Sequence, residues 1–236
     1  LEGTNEALRL FHRAVELDPD FASAYSMAAF CYVRRKVNGW AVNYEQEMGE
    51  AGRLARRAVD LGQDDAVALA FGSQTLSRLV GDIEGAAAFI DRALTLNPNL
   101  AAAWHYSGVT KIWLGEPDIA IEHLAIAMRL SPLDPFIYFR QGSTALAHLC
   151  AGRYDEACMW GEKSLQGGPS YPSGYRLAAA SNALVGRIEK ARKIAARFHQ
   201  LVPGFRVSSM KDYLPFRRPE DLARYEDGLR KAGLPE

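Results

Sequence analysis

Little in this sequence is equipped for chemistry. The 236 residues include only three cysteines, Cys31, Cys150 and Cys158, without CxxC or zinc-ligand spacing. A chain this long builds its core without disulfide staples, so reduced thiols and a cytoplasmic location are expected. Neither sign of charge is in excess, since 28 Lys+Arg balance 28 Asp+Glu. That balance removes the one-sided basic field that nucleic acid or an anionic membrane would favour. No apolar run reaches the roughly 18 residues of a membrane span. The opening LEGTNEALRLF also lacks a charged region followed by an apolar stretch, as an export signal would have. Nucleic acid and membrane are therefore not expected partners.

Catalytic patterns are missing as well. The five histidines, His12, His105, His123, His148 and His199, are scattered without an HxxxH pair or a nearby Cys cluster. Neither GxSxG, GxxxxGK[ST] nor GxGxxG occurs. Glu45, Glu47, Glu50, Asp155 and Glu156 are expected on solvated helix faces, and no paired acid and base emerges. No catalytic residue, metal or cofactor is assigned, and the chain itself is expected not to be an enzyme.

What is present is a repeat. A helix-ending phrase recurs as AVELDPDFA (14–22), AVDLGQDDA (58–66), ALTLNPNLA (93–101) and AMRLSPLDP (127–135). The interval from Pro98 to Pro132, and again from Pro169 to Pro203, is 34 residues. Each unit carries a turn glycine followed five positions later by alanine: Gly81 and Ala86, Gly115 and Ala120, Gly152 and Ala157, Gly186 and Ala191. Glycine supplies the left-handed residue that ends a first helix, and proline stands where the second has stopped. The stretch 101–134 places Trp104, Ser107, Gly108, Gly115, Ala120, Leu124, Ala127 and Pro132 at large, small and turn positions. It closely resembles the tetratricopeptide repeat, whose length is about 34 residues.

The punctuation predicts paired helices at 21–36 and 44–61, 65–80 and 82–95, 99–114 and 116–129, 134–151 and 153–166, and 171–185 and 187–201. The expected fold is all-α, a tetratricopeptide-type right-handed superhelix of helix-turn-helix hairpins with a C-terminal capping helix pair. Residues 1–19, with Ala7, Phe11, Ala14 and Pro19, fit the second helix of a truncated hairpin, so residue 1 is expected to lie inside a larger protein. Residues 20–203 form five hairpins, and 204–236 a helical cap with short and long helices at 207–213 and 219–231. The charges of the long cap helix, Asp221 and Arg224 among them, are read as a solvated face. Three departures interrupt the period: about ten extra residues at 37–46, one before Gly81 and three before Gly152. Trp40 and Tyr44 in the first are read as packing for a lengthened helix.

In the tetratricopeptide family, first helices line a concave groove, and positions 2, 5, 9, 12 and 13 of each unit face a bound peptide. Carried over, the candidate binding residues are Ser26, Phe30, Arg34, Gln74, Arg78, His105, Val109, Trp113, Phe139, Ser143 and Arg176. Phe139 and Trp113 are candidate apolar anchors, and Arg34, Arg78 and Arg176 candidate partners for acidic groups. The bland alternative makes Trp113 core and the arginines ordinary surface charge. Position 5 has no lysine and position 9 no asparagine, which disfavours the chaperone-tail clamp.

The phrases GWAVNYEQEMGEAGRLARRAVDLGQDDAVALA, GEPDIAIEHLAIAMRLSPLDP and RRPEDLARYEDGLRKAGLPE resemble the C-terminal repeat region of bacterial class III adenylate/guanylate cyclases. The resemblance implies a parent that makes cyclic AMP in a domain absent from this chain, with these repeats as its regulatory scaffold. A similar repeat region follows winged-helix domains in some transcription regulators. The expected partner is a protein or peptide, or the parent's own missing N-terminal domain; a homodimerisation module is the alternative.

Overall fold

The computed structural model describes residues 1–236, and every regular element is helical. In order these are α1 Glu2–Leu17, α2 Ala22–Val37, α3 Tyr44–Leu61, α4 Ala66–Thr75, α5 Ile83–Leu96, α6 Ala101–Leu114, α7 Pro117–Leu130, α8 Ile137–Cys150, α9 Tyr154–Gly167, α10 Pro172–Leu184, α11 Ile188–Leu201, α12 Met210–Tyr213 and α13 Pro219–Lys231. The chain divides into two compact units, Leu1–Thr110 and Lys111–Glu236, with the division inside α6.

In the first unit α1 packs on α2, α2 on α3 and α4, and α4 on α5. Its core sets Leu54, Leu69 and Ile90 among the fully enclosed alanines Ala28, Ala29, Ala55, Ala58 and Ala93. Each buried leucine contributes about 1.5–3 kcal/mol through lost apolar exposure, and the alanines let the helix axes approach closely enough to make that burial complete. Side-chain caps start α3, α4 and α5. The Asp65 carboxylate accepts N–H bonds from Val67 (2.9 Å) and Ala68 (3.1 Å) at the start of α4, and also the Ser23 hydroxyl of α2 (2.6 Å). The cap thus joins two first helices as well as satisfying orphan donors. Asp82 caps α5 in the same way, through the Gly85 N–H at 2.9 Å.

The ends of the first helices explain the turn glycines. In the second unit the Gly115 N–H donates to Ile112 O (3.0 Å) and Glu116 N–H to Lys111 O (2.9 Å). The same pair of bonds closes α8 at Gly152 and Arg153, and α10 at Gly186 and Arg187. These are Schellman turns, and they hold Gly115, Gly152 and Gly186 at φ +82°, +73° and +82°. At Gly81 the turn is one residue wider: Gly81 N–H and Asp82 N–H both reach Leu76 O, at 2.9 and 3.3 Å. The extra residue before Gly81 is therefore absorbed as a π-helical turn, Leu76–Val80.

The ten-residue departure resolves into two longer helices, α2 and α3, and a loop between them. Arg35 and Glu47 pair there at 3.0 Å with side chains only 15% and 9% exposed, and Glu47 also accepts the Val42 N–H at 3.0 Å. Trp40 is half-buried, whereas Tyr44 is exposed beneath the Lys36 ammonium, 5.5 Å from its ring centre. Tyr44 is thus a surface ring and not packing.

In the second unit α7 packs on α8, α8 on α9, α9 on α10, and α10 on α11. Gly161 lets α9 ride on the backbone of α10, where an added Cβ would stand 3.1 Å from Ala178 Cα. The helix expected from residue 134 starts instead at Ile137. Pro135 disfavours a helical residue before it, and Asp134 closes a turn by accepting the Phe136 N–H at 2.7 Å. The departure before Gly152 therefore lies mostly ahead of α8.

Candidate interaction surface

On the first unit the candidate residues belong to α2, α4, the π-turn that follows it, and α6. Phe30 of α2 meets Phe71 of α4 edge-on at 5.1 Å, Phe71 meets Tyr106 of α6 at 5.2 Å, and Phe30 lies 5.9 Å from Tyr106. His105 stacks on Tyr106 at 5.2 Å. Successive first helices thus share an aromatic seam in which Phe30, Phe71 and His105 are half-buried and Tyr106 is enclosed. Such pairs add about 0.5–1.5 kcal/mol beyond area burial, so the rings are held in fixed orientations. Phe71 and Tyr106 follow positions 5 by one residue, which is why the carried-over pattern passes them by. Their aromatic character at equivalent places was the available signal.

The other candidates on this unit divide by burial. Ser26 and Val109 are enclosed, and the Ser26 hydroxyl is spent on Ser23 O at 2.9 Å. Gln74 is also enclosed, with its Oε1 lacking a hydrogen-bond partner. Arg34 and Arg78 are half-buried. Arg78 lies within the π-turn, which shifts the helical phase of everything after it, so its ungapped position number no longer describes where it points.

On the second unit Trp113 is 1% exposed, a core side chain. Phe139 joins Tyr138, Tyr171 and Phe136 in a second aromatic cluster, with Phe139 to Tyr171 at 4.7 Å and Tyr138 to Tyr171 at 5.5 Å. Because α8 starts at Ile137, counting from the helix start gives Gln141 and Ala145 positions 5 and 9, about half a helical turn from Phe139 and Ser143. The Ser143 hydroxyl bonds Phe139 O at 3.1 Å. Arg176 is 4% exposed, enclosed by Phe198, Phe205 and Tyr213 at 5.9, 5.5 and 5.0 Å from the guanidinium carbon, and bonded to Ser173 Oγ at 3.0 Å. Its charge serves the C-terminal cap, through cation–π contacts strengthened by desolvation.

The cap itself reaches the first helices. α13 packs on α10 and α8. Gly228 lies so close to α10 that an added Cβ would stand 2.9 Å from both Ala180 Cβ and Ala180 O. Ala180 is position 9 of its unit. The extended stretch ahead of α13 donates its Arg217 N–H to Trp113 O (2.9 Å), while Arg218 Nη1 reaches Gly115 O (3.3 Å) and Arg224 Nη1 reaches Cys150 O (2.6 Å). Asp221, expected on a solvated face, is 1% exposed beneath Arg224 (3.1 Å) and Arg218 (3.6 Å). The cap was read as solvated because it is rich in charge. Three of those charges instead face helix ends or one another.

Burial pushes the thiols of Cys31 and Cys158 up to about 11 and that of Cys150 higher still. Burial also lowers His148, followed by the nearby Arg153 charge. No three His, Cys, Asp or Glu side chains converge as metal ligands, and no helix is long and apolar enough to cross a membrane.

No family profile matches the sequence, and no curated protein does. Solved structures do match. The chain aligns with PilW, described as a widely conserved type IV pilus biogenesis factor, over 89% of its length and 88% of that chain (TM-score 0.64, 15% identity). It aligns with the hetero-tetramer Cut9-Hcn1 of the APC/C over 98% of its length and 39% of that chain (TM-score 0.70, 16% identity). YrrB, described as a TPR protein with an unusual peptide-binding site, matches over 82% of this chain and 93% of its own (TM-score 0.50, 18% identity). The fold is a tetratricopeptide-type α-solenoid. At these identities the likeness defines the fold and leaves the cyclase resemblance a matter of sequence alone.

Proposed function

We propose that this chain is a non-catalytic protein-interaction scaffold that holds a peptide or protein segment on the first-helix face of its N-terminal unit. The observation that carries the reading is the seam of Phe30, Phe71, His105 and Tyr106 across α2, α4 and α6. Rigid, half-buried rings present large apolar area at small entropic cost, the property of residues that dominate binding interfaces. YrrB, with its peptide-binding site, lends support as a fold relative. The test is selection of peptides from a displayed library on the wild-type chain, followed by affinity measurement on Phe71→Ala and His105→Ala. Selected peptides should bind the variants about tenfold more weakly, the cost of one interface side chain. Equal affinity for both would move the site elsewhere.

The sequence phrases support a finer reading, that the scaffold is the regulatory C-terminal part of a bacterial adenylate/guanylate cyclase, with a winged-helix regulator as the alternative parent. Cyclic AMP formation from ATP and Mn²⁺ by the parent, with and without residues 1–236, tests this; a parent inactive in both forms removes it. A dimerisation role is favoured by one observation: Leu10 and Leu17 of α1 are 51% and 71% exposed, and Phe21 just beyond is 47% exposed. Light scattering across a concentration series decides it, since a monomer throughout eliminates the role.

A further inference from the structure

The first-helix face of the C-terminal unit is covered by the chain's own C-terminal segment, since α13 packs on α10 and α8. The Arg217 backbone N–H and the Arg218 and Arg224 guanidiniums address the carbonyls of Trp113, Gly115 and Cys150 in turn, which lie at the C-terminal ends of α6 and α8. Those ends carry the unsatisfied carbonyls and negative pole of each helix, where cationic donors are favoured. Beyond the arginines, Tyr225 and Leu229 are fully enclosed, and Gly228 seats on Ala180. Arg176 and Ala180 are positions 5 and 9 of the last hairpin, the places a bound peptide would occupy in this fold. The chemistry read from the segment is a basic, extended lead followed by an amphipathic helix with a glycine at the crossing point.

The seating is imperfect at one atom. Asp221 is 1% exposed, yet its Oδ2 lacks a hydrogen-bond partner, with Arg218 Nε no closer than 3.6 Å. Burying a charged carboxylate oxygen without a bond costs more free energy than burying a neutral amide in the same place. An external helix with a neutral residue at that place has an advantage over the resident one.

We infer that residues 214–231 are an exchangeable internal occupant, so that the C-terminal unit binds an external segment of this pattern, a basic extended lead followed by an amphipathic helix, only when its own is released. The inference rests on the scaffold reading but concerns a different surface, so equal peptide affinity of the Phe71 and His105 variants, which moves the first site elsewhere, leaves it standing. If the segment is released in about one molecule in a hundred, the apparent affinity for a competitor falls about a hundredfold.

The probe is a fluorescent peptide with the sequence of residues 212–234, added to the full chain. Wild type should bind it weakly. Gly228→Val, whose added carbons meet Ala180, should bind it at least about tenfold tighter by raising the released fraction. Arg218→Ala with Arg224→Ala removes two anchors without touching the packed face and should act in the same direction. The same peptide carrying Asp221→Asn should bind tighter still, and Ala180→Leu in the Gly228→Val chain should abolish capture. A folded Gly228→Val chain that captures no peptide overturns the inference, as does capture indifferent to Ala180→Leu. Collapse of cooperative melting in both released variants makes α13 an inseparable part of the core and overturns it too.

Discussion

Replacing Glu47 with leucine should cost about 3–5 kcal/mol, the range for removing one partner of a buried ion pair. Arg35 and Glu47 join the lengthened α2 and α3 with side chains 15% and 9% exposed, so water does little to compensate either charge. The pair makes one contact at 3.0 Å, while Arg35 Nε and Glu47 Oε2 are buried without partners. Without the carboxylate, the guanidinium keeps only the Tyr32 ring, 6.0 Å from its carbon. The Val42 and Asn43 N–H groups that Glu47 accepts (3.0 and 3.4 Å) belong to exposed residues, and water can replace those bonds at small cost. The double variant Arg35→Met with Glu47→Leu removes both charges, and replacing such a pair with apolar groups is often neutral or stabilising. It should lie within about 1 kcal/mol of wild type or above it. Urea unfolding of wild type, both singles and the double gives the coupling energy. A Glu47→Leu loss below about 1 kcal/mol, or a double variant as damaged as the single, would refute the view that two poorly compensated charges balance each other here.

Other perturbations follow from the packing. At Gly161 an alanine gains about 1 kcal/mol of helix propensity but sets its Cβ 3.1 Å from Ala178 Cα. The two effects should nearly cancel in urea unfolding, while Gly161→Leu should lose about 3 kcal/mol or more by overpacking; equal stability of the two would deny the close approach of α9 and α10. Burial raises the Asp221 carboxyl above its ordinary range, although Arg218 and Arg224 pull it down. A raised folded pKa gives stability that is present below the ordinary aspartate pKa and lost as pH rises through the folded value. Asp221→Asn should therefore gain on wild type as pH increases through that window, and a pH-independent difference in melting would contradict this. The cysteine thiols, raised by burial, should react slowly with a disulfide reagent at pH 8 in the native chain and rapidly in urea; fast native labelling would show them accessible.

The helices were legible in the sequence because their ends are chemical. Turn glycines at positive φ, prolines at Pro117, Pro172 and Pro219 in first turns, and Asp65 and Asp82 as caps are local signals that packing did not override. The surface was less legible. Counting positions without gaps assumes an unbroken helical phase, which the π-turn at Leu76–Val80 and the late start of α8 at Ile137 both break. Composition also misdirects at the cap. A charged helix reads as solvated, yet Asp221 is enclosed and Arg218 and Arg224 are aimed at carbonyls that exist only once α6 and α8 have ended nearby. Similarly, the aromatic seam joins α2, α4 and α6, residues far apart in the chain, and only the matching repeat places of Phe71 and Tyr106 signalled it.

The wider turn at Gly81 bears on how such chains tolerate change. An inserted residue inside a helix would ordinarily rotate everything beyond it by about 100°, exposing core side chains and burying polar ones. Here the surplus is confined between Leu76 and Gly81, and Asp82 caps α5 as though nothing had been added. The helix end works as an expansion joint. Insertions there leave Ile83, Ala86 and Ile90 facing the core, so length changes in this lineage should accumulate at first-helix ends sooner than at their centres.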